Sequence, residues 1–396
     1  MTDTTPAAAT VPAAPAEVRQ RPGAARPAFA PWDDPAAVPL ISYRGVSKHY
    51  EDVVAVDKLS LTIYPREFFA LLGPSGCGKT TLMRLLAGFE TPTEGEIFLN
   101  GENLAGVPPH KRPVNMMFQS YALFPHLSVR DNIAFGLRRD GLPGREVKTR
   151  VDEMLELVQL TAQAKRKPHQ LSGGQRQRVA LARSLAKKPR VLLLDEPLGA
   201  LDKRLRGETQ FQLVNLQYSL GITFLVVTHD QDEAFALADR IAIMRDGAIE
   251  QVAPPAQLYE NPASRYVADF VGDVNLFDGT VKEAGATAVI AGPAGLAFAA
   301  PGSGAAPGTA GCIAVRPEKM LMHAPSAAPA DTVNRLEGTV EDIAYGGDYT
   351  LYRVKTAAGI VEASLFNHRR TTEAAFTWDD PVVLTFDVAD AVFLDR

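Results

Sequence analysis

The chain has 396 residues, enough for two domains with substantial cores, and its 46% apolar and 22% charged content is ordinary for a soluble protein. A formal net charge of −5 with no long basic block argues against general nucleic-acid binding, and the short cluster Lys165, Arg166 and Lys167 reads as a solvated patch. No uninterrupted apolar run approaches the roughly twenty residues that cross a bilayer, and Cys77 and Cys312 have neither metal spacing nor a disulfide framework, which suits a reducing compartment.

In chain order, residues 1 to about 38 are rich in alanine and proline, lack the apolar core of a secretory signal, and are expected to be a disordered tail. From Ile41 the pattern becomes one of alternating strands and helices, which predicts a doubly wound α/β domain. Tyr50 lies early in it, as an exposed ring that could stack on a ligand or as core packing; the residues leave both open. The apolar run Phe68–Leu72 predicts a strand, and Leu82, Leu85 and Leu86 predict a helix after it. Between them Gly73, Pro74, Ser75, Gly76, Cys77, Gly78, Lys79 and Thr80 fit G-x-x-x-x-G-K-[ST]. Its glycines let backbone N–H groups turn inward around a polyphosphate, Lys79 supplies a mobile cation, and Thr80 a hydroxyl for Mg²⁺. Cys77, near a helix N-terminus, reads as a thiol open to alkylation or as a small space-filling residue; the sequence leaves both open.

Gln119 follows a short hydrophobic stretch and could be a polar ligand to Mg²⁺ or to a water. Helices are expected between Gln119 and Pro168, one of them over Val151–Leu160. Leu171, Ser172, Gly173, Gly174 and Gln175 read as a helix start with Ser172 at the N-cap, the helix running from Gln175 to Lys188 until Pro189 stops it. Val191–Leu194 suits a buried parallel strand, and it ends in Asp195 and Glu196, where open α/β sheets place ligands. Asp195 can hold Mg²⁺ through water, while Glu196 can orient and deprotonate an attacking water. A further strand, Leu225–Thr228, delivers His229 to the same edge. After about Leu276, short strand-like runs at Ile313–Val315, Thr350–Val354 and Val382–Phe386 predict a small β-barrel or sandwich, with 291–311 read as loop.

The order Tyr50, Lys79, Gln119, Leu171 to Gln175, Asp195, Glu196, Asp202 and His229 resembles the ATP-binding subunit of an ABC transporter over residues 40–275. The resemblance implies a P-loop cassette with an inserted helical subdomain, working as a homodimeric sandwich. In it the phosphate loop of one copy faces the Leu171–Gln175 signature of the other. It makes Tyr50 the adenine platform, Gly73 to Thr81 the ATP-binding loop, and Gln119 the Q-loop residue. Thr80, Gln119 and Asp195 would hold Mg²⁺, Glu196 would be the general base, His229 the switch histidine, and Asp202 a residue of the dimer interface. Arg316, Pro317 and Glu318 after a strand resemble the oligo-binding-like, TOBE-type domain of the maltose and polyamine importers, which gives a third segment over 276–396 after the tail of 1–39. The runs 113–126, 132–137 and 272–277 look most like putrescine-type relatives. The implied activity is ATP hydrolysis that powers import through two transmembrane permease subunits, with an extracytoplasmic polyamine-binding protein in the full system. The chain would sit on the cytoplasmic face of the plasma membrane, with no nucleic-acid partner. Importers of a sugar, sulfate or iron, and a non-transport ABC ATPase, remain the alternatives.

Overall fold

The apolar runs of the cassette become strands because they are buried on both faces, and their residues divide between two cores by parity. Strands β1 (Ile41–Tyr50), β2 (Val53–Ile63) and β3 (Phe68–Leu72) lead into helix α1 (Lys79–Ala87). Next come β4 (Glu94–Leu99), β5 (Glu102–Asn103), β6 (Val114–Met117), α2 (Val129–Arg139), α3 (Gly144–Leu157), α4 (Gly173–Ala186) and β7 (Val191–Asp195). The cassette closes with α5 (Lys203–Leu220), β8 (Thr223–Thr228), α6 (Gln231–Leu237), β9 (Arg240–Arg245), β10 (Ala248–Ala253), α7 (Pro255–Glu260) and α8 (Arg265–Phe270). The computed structural model describes residues 29–199, 203–302, 304–329, 332–368 and 375–395. Most of the tail expected over 1–39, and Asp202, therefore lie outside the described residues. Pro31–Asp33 form a single 3₁₀ turn.

The central sheet has the order β10-β9-β3-β8-β7-β6, parallel except for the β9–β10 hairpin. Phe68, Ala70, Leu72, Leu192, Leu194, Phe224 and Val226 face one core with α2, α3 and α4. Their alternates Phe69, Leu71, Val191, Leu193, Leu225 and Val227 face another with α1 and the antiparallel sheet β2-β1-β4-β5. The sheet is thus wound with helices on one side, whereas the other side is shared by one helix and a second sheet. Each fully buried aliphatic contributes about 1.5–3 kcal/mol to that layering.

The C-terminal segment comprises β11 (Asn275–Glu283), β12 (Thr287–Ala291), β13 (Ala297–Pro301), β14 (Ala310–Val315), β15 (Leu321–His323), β16 (Arg335–Tyr345), β17 (Tyr349–Thr356), β18 (Gly359–Phe366), β19 (Pro381–Thr385) and β20 (Ala391–Leu394). They form two five-stranded sheets, β13-β12-β11-β14-β20 and β15-β19-β16-β17-β18, that share one core. Phe277, Phe298 and Phe386 stack at its centre, with ring centroids 4.7–6.2 Å apart. The segment 291–311, expected to be loop, contains β13 and the start of β14. Phe298 drives its ring into the aromatic core, and Pro301 is tolerated because β13 is an edge strand.

Candidate functional site

Strand order is what assembles the site. β3, β8, β7 and β6 are consecutive neighbours, and in parallel register Leu72 lies beside Thr228, Asp195 beside Val227, and Met117 beside Leu194. The residues that follow these strands, Gly73 to Lys79, His229, Glu196 and Gln119, therefore emerge along one carboxyl edge.

At the start of this edge the phosphate loop wraps onto α1. A Cβ on Gly73 would stand 2.4 Å from the Met244 carbonyl oxygen, and one on Gly78, whose φ is +103°, only 2.2 Å from that of Ala55. Backbone packing thus demands glycine at both positions. Lys79 is buried, and its Nζ donates to the carbonyls of Gly73 and Pro74, both at 2.7 Å. Pro74, Ser75 and Gly76 are exposed, and Thr80 and Thr81 are half-buried in the first turn of α1. Cys77, for which the sequence leaves alkylation and space filling both open, is buried, with its Sγ 3.7 Å from Lys79 Nζ. It packs beneath the loop, because Gly73 leaves room for its sulfur and for little else.

Glu196 is clamped. Its Oε2 accepts from Gln119 Nε2 at 2.6 Å, and its Oε1 lies 2.9 Å from His229 Nδ1. Its backbone N–H donates to Val227 O at 2.8 Å, and its φ of +46° is a left-handed conformation that costs a residue with a Cβ about 1–2 kcal/mol. The side chain is therefore aimed by bonds from two other strand ends. Beside it, burial and then the neighbouring Glu196 charge hold the Asp195 carboxyl above the usual carboxylate range, against the opposing pull of Arg84 and Lys79.

The signature turn is built by its own side chains. Ser172 Oγ accepts from Gln175 N–H at 3.3 Å, and Gln175 Oε1 accepts from Ser172 N–H at 3.0 Å, a reciprocal capping box. The helix begins at Gly173, two residues earlier than the spacing predicts, and ends at Ala186, with Lys188 already left-handed before Pro189. Leu171 anchors the turn in the core while Ser172 is exposed, and the hydrogen bonds of the turn are local. Among the described residues it makes no hydrogen bond to the phosphate loop.

Tyr50 ends β1 and is 40% exposed, which decides against core packing. Lys48 Nζ lies 4.9 Å from its ring centroid and 3.0 Å from a carboxylate oxygen of Glu90, whose carboxyl is held below its ordinary range chiefly by the bond from Lys48. These flanking charges were not singled out from the sequence, although strand alternation puts residues 48 and 50 on one face. Arg183 was also missed. From α4 its guanidinium donates to Tyr121 O at 2.9 Å and Ala122 O at 2.7 Å, pinning two left-handed residues just after Gln119.

Residues 56–199 match the ABC transporter family and residues 313–394 the TOBE domain family. The putrescine transport ATP-binding protein PotG of Escherichia coli is 50% identical over 363 residues, 91% of this chain and 96% of the relative. The spermidine/putrescine import ATP-binding protein PotA of Nitrosomonas eutropha is 47% identical over 358 residues, 90% of this chain and 98% of the relative. Among solved structures, CbiO1 of Clostridium perfringens, part of the ABC transporter complex CbiONQ, is similar with a TM-score of 0.53 at 30% identity, over 56% of this chain and 90% of its own. With near-complete coverage at this identity, and with a phosphate loop, a clamped glutamate and a capped signature turn on the predicted elements, the chain belongs to the ATP-binding proteins of ABC transporters.

Proposed function

We propose that this chain hydrolyses Mg-ATP as one of a pair of identical subunits and thereby drives import of polyamines through membrane partners. The observation that carries the reading is the clamp on Glu196 at the mouth of the phosphate loop. Glu196 takes the proton of the attacking water, with its carboxylate aimed by Gln119 and His229. Lys79 would exchange its two loop carbonyls for phosphate oxygens, and the N-terminus of α1, which starts at Lys79 after the left-handed Gly78, would receive them. Tyr50, with Thr81 and the exposed Pro74 and Ser75, completes the nucleotide contact.

The residues at this edge fit Mg²⁺. Thr80, Gln119 and Asp195 offer a hydroxyl, an amide oxygen and a carboxylate, all hard donors, and Gln119 spends only its nitrogen on Glu196. When bound, the ion would neutralise phosphate charge.

The dimer follows from the signature turn. Ser172 to Gln175 presents a helix N-terminus whose hydrogen bonds among the described residues are local, and the phosphate loop of a second copy would face it; Asp202 would lie at that interface. Residues 40–275 then act as the cassette and 276–396 as the C-terminal domain. No helix among the described residues is long and apolar enough to cross a membrane. In this reading the transport path belongs to two permease subunits that the chain would meet at the cytoplasmic face. The polyamine assignment is supported by the names of relatives such as PotG and PotA, and an extracytoplasmic binding protein would do the recognition. ATPase measurement on the complex reconstituted with its permeases and binding protein tests it. Putrescine or spermidine should accelerate hydrolysis while maltose and sulfate leave it unchanged; stimulation by a sugar or an anion, with polyamines silent, would overturn the substrate assignment.

A further inference from the structure

The helix that follows His229 is held from outside the phosphate edge. α6 starts at Gln231 and is capped by Asp230, which accepts from Glu233 N–H at 3.0 Å and from Arg206 Nη1 at 2.5 Å. Two further contacts fix α6 to the α7–α8 segment. Gln231 Nε2 donates to the carbonyl of Phe270, the last residue of α8. Phe235, one turn on, meets Tyr259 of α7 edge to face, with centroids 6.4 Å apart and planes at 85°.

That segment is fastened in turn by one side chain of the C-terminal domain. Arg316, directly after β14, is 5% exposed. Its Nη1 donates to the carbonyls of Ala268 at 2.8 Å, Gly272 at 2.9 Å and Asp273 at 3.0 Å, and its Nη2 to that of Tyr259 at 3.3 Å. Its guanidinium carbon stands 4.2 Å from the Tyr259 ring centroid, and Glu318, two residues on, accepts from the Tyr259 hydroxyl at 2.7 Å. Ala268 and Tyr259 lie in the last turns of α8 and α7, whose carbonyls have no partner within their own helices. One planar cation therefore caps two helix ends at once, at the negative poles of both. An ammonium group could not reach this spread of acceptors.

We infer that Arg316 and Gln231 are positioning residues for hydrolysis: the Arg316–Glu318 corner clamps α7 and α8, and Gln231 and Phe235 pass that constraint to the start of α6 and so to the loop that sets His229 against Glu196. The inference rests on the reading of His229 and Glu196 as a catalytic pair. Both residues bond to carbonyls of the α7–α8 segment and its C-terminal end and neither is in the phosphate loop, so their loss should act on turnover and not on binding.

The test is steady-state ATPase kinetics of the full chain carrying Gln231→Ala, Arg316→Lys, both together, or His229→Ala, each with a thermal melt. Each of the first two should lower kcat about 3- to 10-fold, with KM for ATP within about twofold of the parent. Because both act through the α7–α8 pair, the double variant should be slowed by clearly less than the product of the two single effects. Multiplying effects in the double variant, a rise in KM with kcat intact, or unchanged kcat in a normally melting Gln231→Ala protein would each overturn the relay. Should Arg316→Lys fail to fold, Gln231→Ala decides alone. His229→Ala separates the two ideas: if it is inactive while Gln231→Ala is normal, only the relay falls, and if it is itself normal, the catalytic pair falls and the relay with it.

Discussion

The carboxyl edge of the cassette and the core of the C-terminal domain are built on opposite terms. At that edge Lys79 is a buried charge, whereas beyond residue 275, among the described residues, Arg316 is the buried charge. At the edge Glu196 is held left-handed and Lys79 is tied to carbonyls that phosphate would displace. In the C-terminal core, Phe277, Phe298 and Phe386 simply stack. The edge thus holds a strained backbone and a buried cation, whereas the C-terminal core obeys the ordinary rules of apolar packing. The two regions should therefore respond to substitution along different axes.

The largest expected effect on stability lies in the obedient region. Phe298→Ala removes the ring at the centre of the three-phenylalanine stack and should cost about 3–5 kcal/mol. Denaturant titration measures the loss, and nucleotide binding on the same folded protein should be unchanged. A parallel fall in ATP affinity would break the contrast between the regions.

A smaller and opposite effect is expected at Glu233, which is buried beside Thr228 and accepts from its hydroxyl at 2.5 Å. Burial pushes its carboxyl from the ordinary 4.5 up to about 7. Below about pH 4.5 the group is protonated folded and unfolded alike, and nothing is lost. As pH rises towards about 7 the unfolded chain releases its proton first, so the folded state loses stability, and above about 7 the loss is complete. At about 1.4 kcal/mol per pH unit the full loss is up to ~3 kcal/mol. Glu233→Gln should thus melt higher than the parent at pH 8, with the gap closing as pH falls to 4.5. A gap that is constant with pH, or that widens in acid, would show that the carboxyl titrates normally.

Much of this contrast was legible before the structure. The glycine pattern, the aliphatic runs ending in Asp195 and His229, and the Ser172 cap are local signals, and each landed on the element expected of it. That His229 reaches the edge that carries Glu196 was expected from the strand that precedes it, but the direct bonds of Gln119 and His229 to the Glu196 carboxylate depend on strand order, a long-range property that no local pattern carries. The left-handed backbone of Glu196 was hidden for a related reason: a bulky residue is held there by the sheet around it rather than by its own propensity. The strand at Ala297–Pro301 was missed because small residues and a proline imitate a loop, and only the aromatic pocket that receives Phe298 reveals it. Tyr50 stayed undecided until its exposure was known.

The central claim, that Glu196 performs the chemistry while the loop beside it performs the binding, is tested most directly by measuring nucleotide affinity and turnover on one sample of Glu196→Gln. Glutamine keeps the size and can still bond to His229 and Gln119, so ATP affinity should stay within about threefold while kcat falls about 10²- to 10⁴-fold. Turnover close to that of the parent, or affinity lost in step with turnover, would contradict the account.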